Sequence, residues 1–239
     1  MERFVDIHTH ILPGVDDGSP DLEHSISLLR MAWEDGTGAV ILTPHYRGRY
    51  RSNTPQKLRE IYDKLRAHVE VELPEMELYL GNEAGIEIEL SEKLAEGQVL
   101  SLDGGNYVLL EFTSSSSSGK IVKGVLEILN SGFTPIIAHA ERYDAFCKNK
   151  RLAEEVIGLG ALIQLNAGSI MGNSGFAAKR CCYRLLRKRQ VHFIASDAHD
   201  KKYRPPQLGE CYRRVCKKYG EEYADALFRR NARTVLSSQ

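Results

Sequence analysis

Short apolar segments alternate with longer amphipathic segments seven times along this chain of 239 residues. The alternation predicts β-strands separated by helices, and therefore a parallel sheet. Seven such units suggest a closed (β/α)7 barrel, and nearly continuous apolar strands fit burial on both faces. An open doubly wound sheet is disfavoured, because no glycine-rich phosphate loop follows any strand. The strands are predicted at Phe4–His8, Ala39–Thr43, Glu77–Leu80, Tyr107–Leu110, Pro135–Ala138, Ala161–Leu165 and Val191–Ala195.

Capping residues predict where the first helices begin and end. Ser19 is expected to cap the first helix with Pro20 in its first position, and Gly36 is expected to stop it. A second helix is predicted from about Pro55 to Val69. No change in composition marks a linker, so residues 1–239 are expected to form a single domain.

Metal-binding side chains occur where the predicted strands end. His8 and His10 are two residues apart on the first strand, so they can point to the same side and share an ion. The C-terminal ends of barrel strands converge on one face, which holds the active site. Six of the seven strands carry histidine, aspartate or glutamate there, namely His8, His10, His45, Glu83, Glu111, His139, Asp197 and His199. We therefore expect these side chains to form one site.

The size of this set predicts more than one ion. With Asp17 it comprises five histidines and four carboxylates, which suits two or three divalent ions such as manganese, iron, zinc or magnesium. Three divalent ions would leave a local charge of about +2, suited to a phosphate dianion. Converging carboxylates repel one another without metal, so chelation is expected to inactivate and destabilise the protein. The remaining histidines, His24, His68 and His192, are expected to be structural or on the surface.

The motifs occur in an order that resembles the polymerase-and-histidinol-phosphatase (PHP) superfamily. They are Asp6-Ile7-His8-Thr9-His10, Val15-Asp16-Asp17-Gly18, Thr43-Pro44-His45, Gly81-Asn82-Glu83, Leu110-Glu111-Phe112, His139-Ala140-Glu141-Arg142-Tyr143 and Ser196-Asp197-Ala198-His199. Within it, the chain looks like the bacterial capsular and exopolysaccharide protein-tyrosine phosphatases that act on tyrosine autokinases. The resemblance covers nearly the whole chain. It implies a distorted (β/α)7 TIM-like barrel with three divalent ions, manganese being expected first.

The resemblance also implies roles for individual residues. Glu111 would bridge two of the three ions, Arg142 would bind phosphate and stabilise charge, and Arg204 would be a second basic contact. The three ligand groups would be His8, His10, Glu111 and Asp197; Glu83, Glu111 and His139; and Asp17, His45 and His199.

The implied reaction is hydrolysis of phosphotyrosine by a metal-activated hydroxide, without a covalent intermediate. Its substrate is expected to be a bacterial tyrosine autokinase of capsule or exopolysaccharide synthesis. Arg47, Arg49 and Arg51 follow His45 and are expected to dock an acidic, phosphotyrosine-bearing tail.

Two departures from the family pattern lie beside the expected site. Ala140 stands where the family usually has proline, a mild change next to His139. The run Thr113–Ser118 replaces a segment that normally carries proline and aromatic residues. A serine run is expected to be flexible and poorly packed, which affects peptide specificity more than catalysis.

Three other functions remain open. Histidinol-phosphate phosphatase, or another PHP phosphoesterase, would use the same metals on a different phosphate ester. The motifs Val15–Gly18 and His139–Tyr143 favour the tyrosine phosphatase over it. A PHP nuclease is disfavoured, because 32 basic and 32 acidic residues give a net charge of zero and argue against nucleic-acid binding. A non-catalytic, metal-stabilised scaffold that binds the kinase is the alternative of another class.

The cysteines predict free thiols in a reducing compartment. Five cysteines (Cys147, Cys181, Cys182, Cys211 and Cys216) show no disulfide or metal-binding spacing. Cys181 and Arg187 have the C-x5-R spacing of cysteine-dependent phosphatases, but the segment between them is predicted to be helical and offers no free N–H groups to phosphate. With no bilayer-length apolar run and no signal-peptide core, a cytoplasmic location is expected.

Overall fold

The structure, a computed structural model, describes residues 2–87 and 89–236. Its strands are β1 (Phe4–Thr9), β2 (Thr37–Leu42), β3 (His45–Tyr46), β4 (Glu77–Leu80), β5 (Glu83–Gly85), β6 (Tyr107–Glu111), β7 (Thr134–Ile137), β8 (Leu162–Asn166) and β9 (Phe193–Ala195). Its helices are α1 (Leu22–Glu34), α2 (Pro55–Glu72), α3 (Leu90–Ala95), α4 (Ser118–Asn130), α5 (Asp144–Lys148), α6 (Leu152–Leu159), α7 (Ala167–Met171), α8 (Gly175–Arg187), α9 (Gly209–Tyr219), α10 (Glu221–Asp225) and α11 (Asn231–Leu236). A π-helical turn, Ala226–Arg230, joins α10 to α11.

All strand pairs are parallel and run around a barrel. One sheet has the order β1-β2-β4 and the other the order β3-β5-β6-β7-β8-β9. Because β3 continues β2 and β5 continues β4 after short breaks, the nine strands occupy seven positions, as the sequence predicts. The barrel closes between β1 and the end of β9, where the Asp197 N–H donates to the His8 carbonyl at 3.0 Å and the His10 N–H donates to the Ala198 carbonyl at 2.8 Å.

The two strand breaks lie side by side. Pro44 interrupts one strand position, and the Asn82 side-chain amide in the neighbouring break donates to the Pro44 carbonyl at 2.9 Å. Proline has no N–H to continue a ladder, so a break at this point follows from the sequence. Beyond it the pairing resumes with His45 opposite Glu83. The paired breaks thus place these two side chains beside each other.

Alternate residues of each strand point to opposite faces of the sheet. Leu109 and Ile136 join a buried cluster with Val5 and Ile7, which is the inner face of the barrel. Neighbouring residues such as Leu110 pack instead against the surrounding helices. Helices α1 and α2 cover β2 and β4 in the same way. Polar ligands at the strand ends therefore project from a rigid, fully packed base.

Helix α1 starts later than predicted. Its N-cap is Asp21, whose carboxylate accepts the His24 N–H at 2.8 Å, and not Ser19. The Ser19 hydroxyl instead bonds the Asp21 carbonyl and the Ser25 hydroxyl, so hydrogen bonds within this turn decide between two good capping residues. Gly36 follows the helix end with a φ of 104°, as expected. Helix α2 begins at Pro55 as predicted and continues to Glu72.

The serine run forms a defined turn at the surface, in which Thr113, Ser114, Ser115 and Ser117 are exposed, as expected of a poorly packed segment. Ser116 is buried, its N–H donates to the Thr113 carbonyl at 2.9 Å, and its hydroxyl lies 2.9 Å from that of Thr113. The Ser117 hydroxyl then caps α4 by accepting the Lys120 N–H. Serine suits both positions because its hydroxyl bonds nearby backbone.

The C-terminal helices are joined to α1 by one carboxylate. Asp35 Oδ2 accepts the N–H groups of Leu208 and Gly209, the first of α9, at 2.6 and 2.7 Å. A side chain at position 209 would place its Cβ only 2.8 Å from Asp35 Oδ1, so glycine is needed for this approach. Among the described helices, none combines the length and apolar content required to cross a membrane.

Replacement of Asp35 by alanine should destabilise the protein. Two N–H groups at the start of α9 would lose their acceptor, and loss of a helix cap costs about 1–2 kcal/mol. Urea unfolding of Asp35→Ala should show this loss, whereas Asp63→Ala on the exposed face of α2 should change the free energy of unfolding by less than about 0.5 kcal/mol. Equal stability of the two variants would contradict the capping role.

Candidate metal centre

Histidines from β1 form the deepest part of the site. His8 and His10 are fully buried, and their Nε2 atoms are 3.2 Å apart. The His10 ring stacks on that of His199 with centroids 4.0 Å apart. The predicted pair therefore converges on one point, and the chain after β9 reaches the same point.

Glu83 lies at the centre of the histidines. Its Oε1 is 2.7 Å from Nε2 of His139 and 3.4 Å from Nε2 of His8, and its Oε2 is 2.7 Å from Nδ1 of His45 and 3.3 Å from Nε2 of His10. This carboxylate is completely buried. Four imidazoles thus share one glutamate.

Glu111 lies farther from the histidine nitrogens than Glu83 does. Its oxygens are 3.7 Å from His45 Nδ1 and 3.9 Å from His139 Nε2, and Arg47 Nε approaches Oε2 at 3.1 Å. Within the described chain, the donor group that contains His8, His10 and Asp197 does not contain Glu111. The ligand grouping that the resemblance implies stays a prediction, and Glu83 has the more central position among the described donors.

Asp197, His199 and Asp17 complete the cluster. Asp197 Oδ1 lies 3.4 Å from His8 Nε2 and 3.5 Å from His10 Nε2. Asp17 Oδ1 lies 3.3 Å from His45 Nε2 and 3.7 Å from His199 Nε2. All nine residues predicted as ligands therefore lie in one cluster. Its donor atoms form four overlapping groups, each within 4.8 Å: His10, Asp17, His45 and His199; His8, His10 and Asp197; His8, Glu83 and His139; and His45, Glu83 and Glu111.

Several of these atoms are buried without a well-formed hydrogen bond, although some of them lie in ion pairs. His45 Nδ1, Glu83 Oε2, Glu111 Oε2 and His199 Nε2 are buried without completing a hydrogen bond. Buried polar atoms normally have a partner, because an unsatisfied one costs about 1–3 kcal/mol. Oxygen and imidazole donors aimed at one another are the ligand types that divalent ions use. The residues therefore fit metal ions.

Two ligands are held in a left-handed backbone conformation. His139 has a φ of 31° and Asp197 a φ of 54°, each just past the end of its strand. Such conformations are unfavourable for non-glycine residues by about 1–3 kcal/mol and concentrate at functional sites. The backbone is thus bent to aim these side chains at the cluster.

Burial and neighbouring charges shift the pKa values of the clustered side chains in both directions. Burial opposes ionisation of Glu83, but the surrounding histidines outweigh it and hold its pKa well below the usual range. Burial, together with the charge of Glu83, raises the pKa of Glu111 to about 7. Burial is also the main reason that the pKa of His199 falls to about 3, with the charge of His10 adding to it.

Three polar residues that bond the predicted ligands are not predicted from the sequence. Asp16 Oδ2 accepts from Nδ1 of His10 at 2.7 Å and from the His45 N–H at 3.1 Å. Gln164 Oε1 lies 3.1 Å from His8 Nδ1 and accepts the His139 N–H at 2.8 Å. Asn166 donates to Asp197 Oδ2 at 2.8 Å. Such partners fix ring orientation and tune the metal. Two amides at the end of an otherwise apolar strand were the available signal.

The D-D-G turn is built around a close backbone approach. A Cβ at position 18 would lie 1.9 Å from the His10 carbonyl oxygen, so only glycine fits there. The Gly18 N–H donates to Asp16 Oδ1 at 3.0 Å. This turn directs Asp16 to His10 and leaves Asp17 facing His45 and His199.

Two predicted arginines border the cluster. Arg142 Nη1 is 3.1 Å from Asp197 Oδ2, and Arg204 Nη2 is 3.9 Å from Asp17 Oδ2. Their side chains are 44% and 39% exposed, so both guanidinium groups remain able to reach a ligand. They line a cleft of about 420 Å³ above the donor atoms, together with Arg47.

The basic loop is less free than the sequence suggests. Arg47 pairs with Glu111, and Arg51 forms an ion pair with Glu87. Arg49 contacts Tyr50, donating to its hydroxyl at 2.6 Å and lying over its ring. All three loop arginines are exposed, and Arg49 differs from the other two in contacting a tyrosine and not a glutamate.

The histidines and the cysteine for which no role in the site is predicted lie away from the cluster. Within the described chain, no candidate metal group includes His24, His68 or His192. Cys181 lies inside α8, where burial raises the pKa of its thiol to about 12, and its sulfur contacts Arg184 rather than Arg187. A cysteine-phosphatase loop is therefore absent from this segment.

The barrel and its donor set define the class of metal-dependent hydrolases built on a TIM-like fold. The family model described as "Capsular polysaccharide synthesis, CpsB/CapC" matches residues 4–237. The chain therefore belongs to the CpsB/CapC family.

Named relatives agree with this family. The tyrosine-protein phosphatase CpsB of Streptococcus agalactiae serotype V is 30% identical over 98% of this chain and 99% of its own length. The tyrosine-protein phosphatase YwqE of Bacillus subtilis strain 168 is 33% identical over 99% and 92%.

Solved structures show the same fold. A chain from the crystal structures of YwqE from Bacillus subtilis and CpsB from Streptococcus pneumoniae, described as unique metal-dependent tyrosine phosphatases, has a TM-score of 0.92 at 33% identity. The match covers 98% of this chain and 95% of that one. A phosphotriesterase from Mycobacterium tuberculosis, 10% identical with a TM-score of 0.63, covers 100% of this chain and 95% of its own, and shows the barrel fold alone.

Removal of divalent metal should destabilise the protein, because the buried carboxylates would lose their counter-charges. Adding Mn²⁺ to metal-stripped protein at about 100 times its Kd should raise the free energy of unfolding by about 2.7 kcal/mol. Thermal unfolding with and without EDTA measures this. His68→Gln on the exposed face of α2 should keep the response, and Glu83→Gln should lose most of it. An EDTA-insensitive melting temperature on protein shown to be metal-free would count against a structural role for the ions.

Proposed function

We propose that this protein is a metal-dependent protein-tyrosine phosphatase that hydrolyses phosphotyrosine on a bacterial tyrosine autokinase of capsule or exopolysaccharide synthesis. The observation that carries the proposal is the convergence of nine metal donors under a cleft flanked by Arg142 and Arg204. Membership of the CpsB/CapC family supports the substrate class. We take residues 1–239 as one phosphatase domain.

We assign three divalent ions, with manganese as the first choice, to the four overlapping donor groups. Glu111 would serve two ions, as the resemblance implies, and Glu83, which belongs to two of these groups, would also serve more than one. His8, His10 and His45 also belong to two groups each, which fits ions that lie close together. When bound, such ions polarise phosphoryl oxygens and lower the pKa of water.

The protein's own residues bind and orient the phosphoryl group. The planar guanidinium of Arg142 can donate two hydrogen bonds to phosphoryl oxygens. Asp197 and Asn166 hold that side of the site, since Asp197 Oδ2 accepts from both Arg142 and Asn166. When water attacks phosphorus, the bond from phosphorus to the tyrosine oxygen breaks and negative charge moves toward that oxygen. The fixed guanidinium of Arg142 stabilises the negative charge of the phosphoryl group during this change. Phenolate, with a pKa of about 10, leaves more readily than an alkoxide.

A phosphatase assay on a phosphotyrosine peptide tests the proposal. Manganese should support turnover and EDTA should abolish it. Iodoacetamide should leave turnover largely unchanged, because burial raises the pKa of the Cys181 thiol to about 12. Preference for histidinol phosphate would favour the other phosphatase. Absence of turnover on any phosphate ester, with metals bound, would leave the scaffold function.

Replacement of Arg142 by alanine should lower kcat on a phosphotyrosine peptide by about 10²–10³-fold, by analogy with losing one oxyanion donor. Metal content should stay unchanged, because Arg142 is not among the donor groups. Arg66→Ala, on the surface of α2, is the matched control and should keep kcat. Near-normal turnover of the metal-loaded Arg142 variant would remove this residue from the mechanism.

Replacement of Arg49 by serine should weaken binding of an acidic phosphopeptide. Its guanidinium is exposed beside the cleft, so KM should rise about threefold to tenfold for the peptide and much less for a small aryl phosphate. Raising the salt concentration should reduce the difference. Arg66→Ser should leave both KM values unchanged, and equal effects of Arg49→Ser on both substrates would contradict docking by this loop.

The reaction is proposed to take place in the cytoplasm. All five cysteines are free, including the neighbours Cys181 and Cys182, which suits a reducing compartment.

A further inference from the structure

Two further cavities adjoin the cleft over the metal donors, one on each side. The first, of about 480 Å³, shares Asp17, Arg47 and Glu111 with the cleft and lies above the neighbouring strands β3, β5 and β6. The second, of about 840 Å³, shares Arg142, Asp197 and Arg204 with it and lies toward α7, α8 and α9. A phosphate ester held over the donors can therefore direct its organic group to either side.

The two cavities differ in chemistry. Tyr50, Ile86 and Phe112 line the smaller cavity and make much of its surface apolar. Polar side chains such as Ser169 and Asn173 line the larger one, where the buried Glu141 carboxylate has an oxygen without a hydrogen-bond partner. An aromatic ring placed there would not satisfy that oxygen.

We propose that the phenyl ring of phosphotyrosine enters the smaller cavity, between Tyr50, Ile86 and Phe112, which we call the aryl pocket. The inference rests on the proposed function and names the subsite that selects aryl over alkyl phosphates. An apolar cavity of about 150 Å³ is enough to hold benzene, so the aryl pocket accommodates a phenyl ring with space for adjacent peptide. A serine side chain offers no ring to occupy it.

The walls of the aryl pocket are held in place by packing. The Phe112 ring is buried and meets that of Tyr143 edge to face, with centroids 5.9 Å apart. Ile86 and Phe112 both approach Gly124 of α4, where a Cβ would lie 2.9 Å from Phe112 Cε1 and 3.1 Å from Ile86 Cδ1. The glycine of α4 thus lets both side chains seat against the helix.

The opposite side of the pocket is positioned by the metal ligands. The Tyr50 ring stacks on that of His45, with centroids 5.6 Å apart and an interplanar angle of 18°. Gly85 forms part of the wall, and a Cβ there would lie 2.8 Å from Arg47 Cβ. Arg47 in turn contacts Glu111. The pocket is therefore joined directly to the donor cluster, and its shape is set before substrate arrives.

Inhibition by two phosphonates tests the aryl pocket on the full-length, manganese-loaded protein. Phenylphosphonate carries the ring, whereas methylphosphonate carries the same charged head group without it. Wild-type protein should bind phenylphosphonate at least tenfold more tightly. Ile86→Ala should reduce this preference about fivefold to tenfold and leave methylphosphonate unchanged, because a pocket contact of a few carbons gives discrimination of this order.

Two alanine variants serve as controls. Ile157 on α6 is, like Ile86, partly buried against the main core cluster, so Ile157→Ala matches the loss of packing without touching the pocket. Met171 lines the larger cavity, so Met171→Ala tests the other side. Both should keep the wild-type preference. Ile86→Val, which removes one methylene, should give an intermediate loss and keeps the test valid if the alanine variant does not fold.

Equal binding of the two phosphonates by wild-type protein would overturn the aryl pocket. So would a preference that Met171→Ala lowers and Ile86→Ala leaves intact, since the ring would then enter the larger cavity. Either result, together with normal turnover of a phosphotyrosine peptide, rejects only the subsite. Failure to hydrolyse that peptide at all would instead reject the proposed function.

Discussion

The burial of Glu83 among four histidines is the interaction on which the upper part of the barrel depends. A buried carboxylate is costly by several kcal/mol unless positive charge and hydrogen bonds compensate it. Here the nitrogens of His8, His10, His45 and His139 lie 2.7–3.4 Å from its oxygens. Protonated imidazoles can supply that charge, and divalent ions between the same atoms supply it more fully. The cluster is therefore one electrostatic unit rather than three separate sites.

A further set of polar residues holds the cluster in a fixed position on the barrel. Six of the seven strand positions provide metal donors, and the seventh, β8, provides the amides of Gln164 and Asn166 that hold them. Asp16 performs the same task from the loop after β1. Gln164 and Asp16 bond Nδ1 of His8 and His10, and Asn166 bonds Oδ2 of Asp197, so these three side chains are oriented with the other donor atom left free for metal. The backbone N–H groups of His45 and His139 are held by the same carboxylate and amide. The unit is rigid because every strand contributes to it.

Much of the fold and site could be predicted from the order of residues along the chain. Parallel strands bring their C-terminal ends together, so a histidine or carboxylate at each end predicts a shared site wherever the exact bounds fall. That reasoning predicts the order of the donors around the end of the barrel, but not how deeply each donor side chain is buried. Glu83 and Glu111 both follow apolar strands in the sequence, and the adjacent breaks at Pro44 and Asn82 place Glu83 directly beside His45.

Local signals failed where side-chain hydrogen bonds decided between equal candidates. Ser19 and Asp21 are both good capping residues, and the bond from Ser25 to Ser19 leaves the cap to Asp21. The serine run has little apolar content, yet its hydroxyls close a turn and cap α4. Gln164 bonds His8 and His139, which lie 156 and 25 residues away in sequence, so no short window could reveal its role.

The hydrogen bonds that close the barrel also determine when the metal site can form during synthesis of the chain. They join His8 and His10 to Asp197 and Ala198, residues almost the whole chain apart. Contacts this distant in sequence form late, because loop closure must be completed before they contribute stability. A nascent chain that has not yet extended past β9 lacks Asp197 and His199 and leaves β1 unpaired on one edge. Closure of the barrel and assembly of the metal centre therefore depend on the same segment, and partly synthesised chains hold the early ligands without forming the centre.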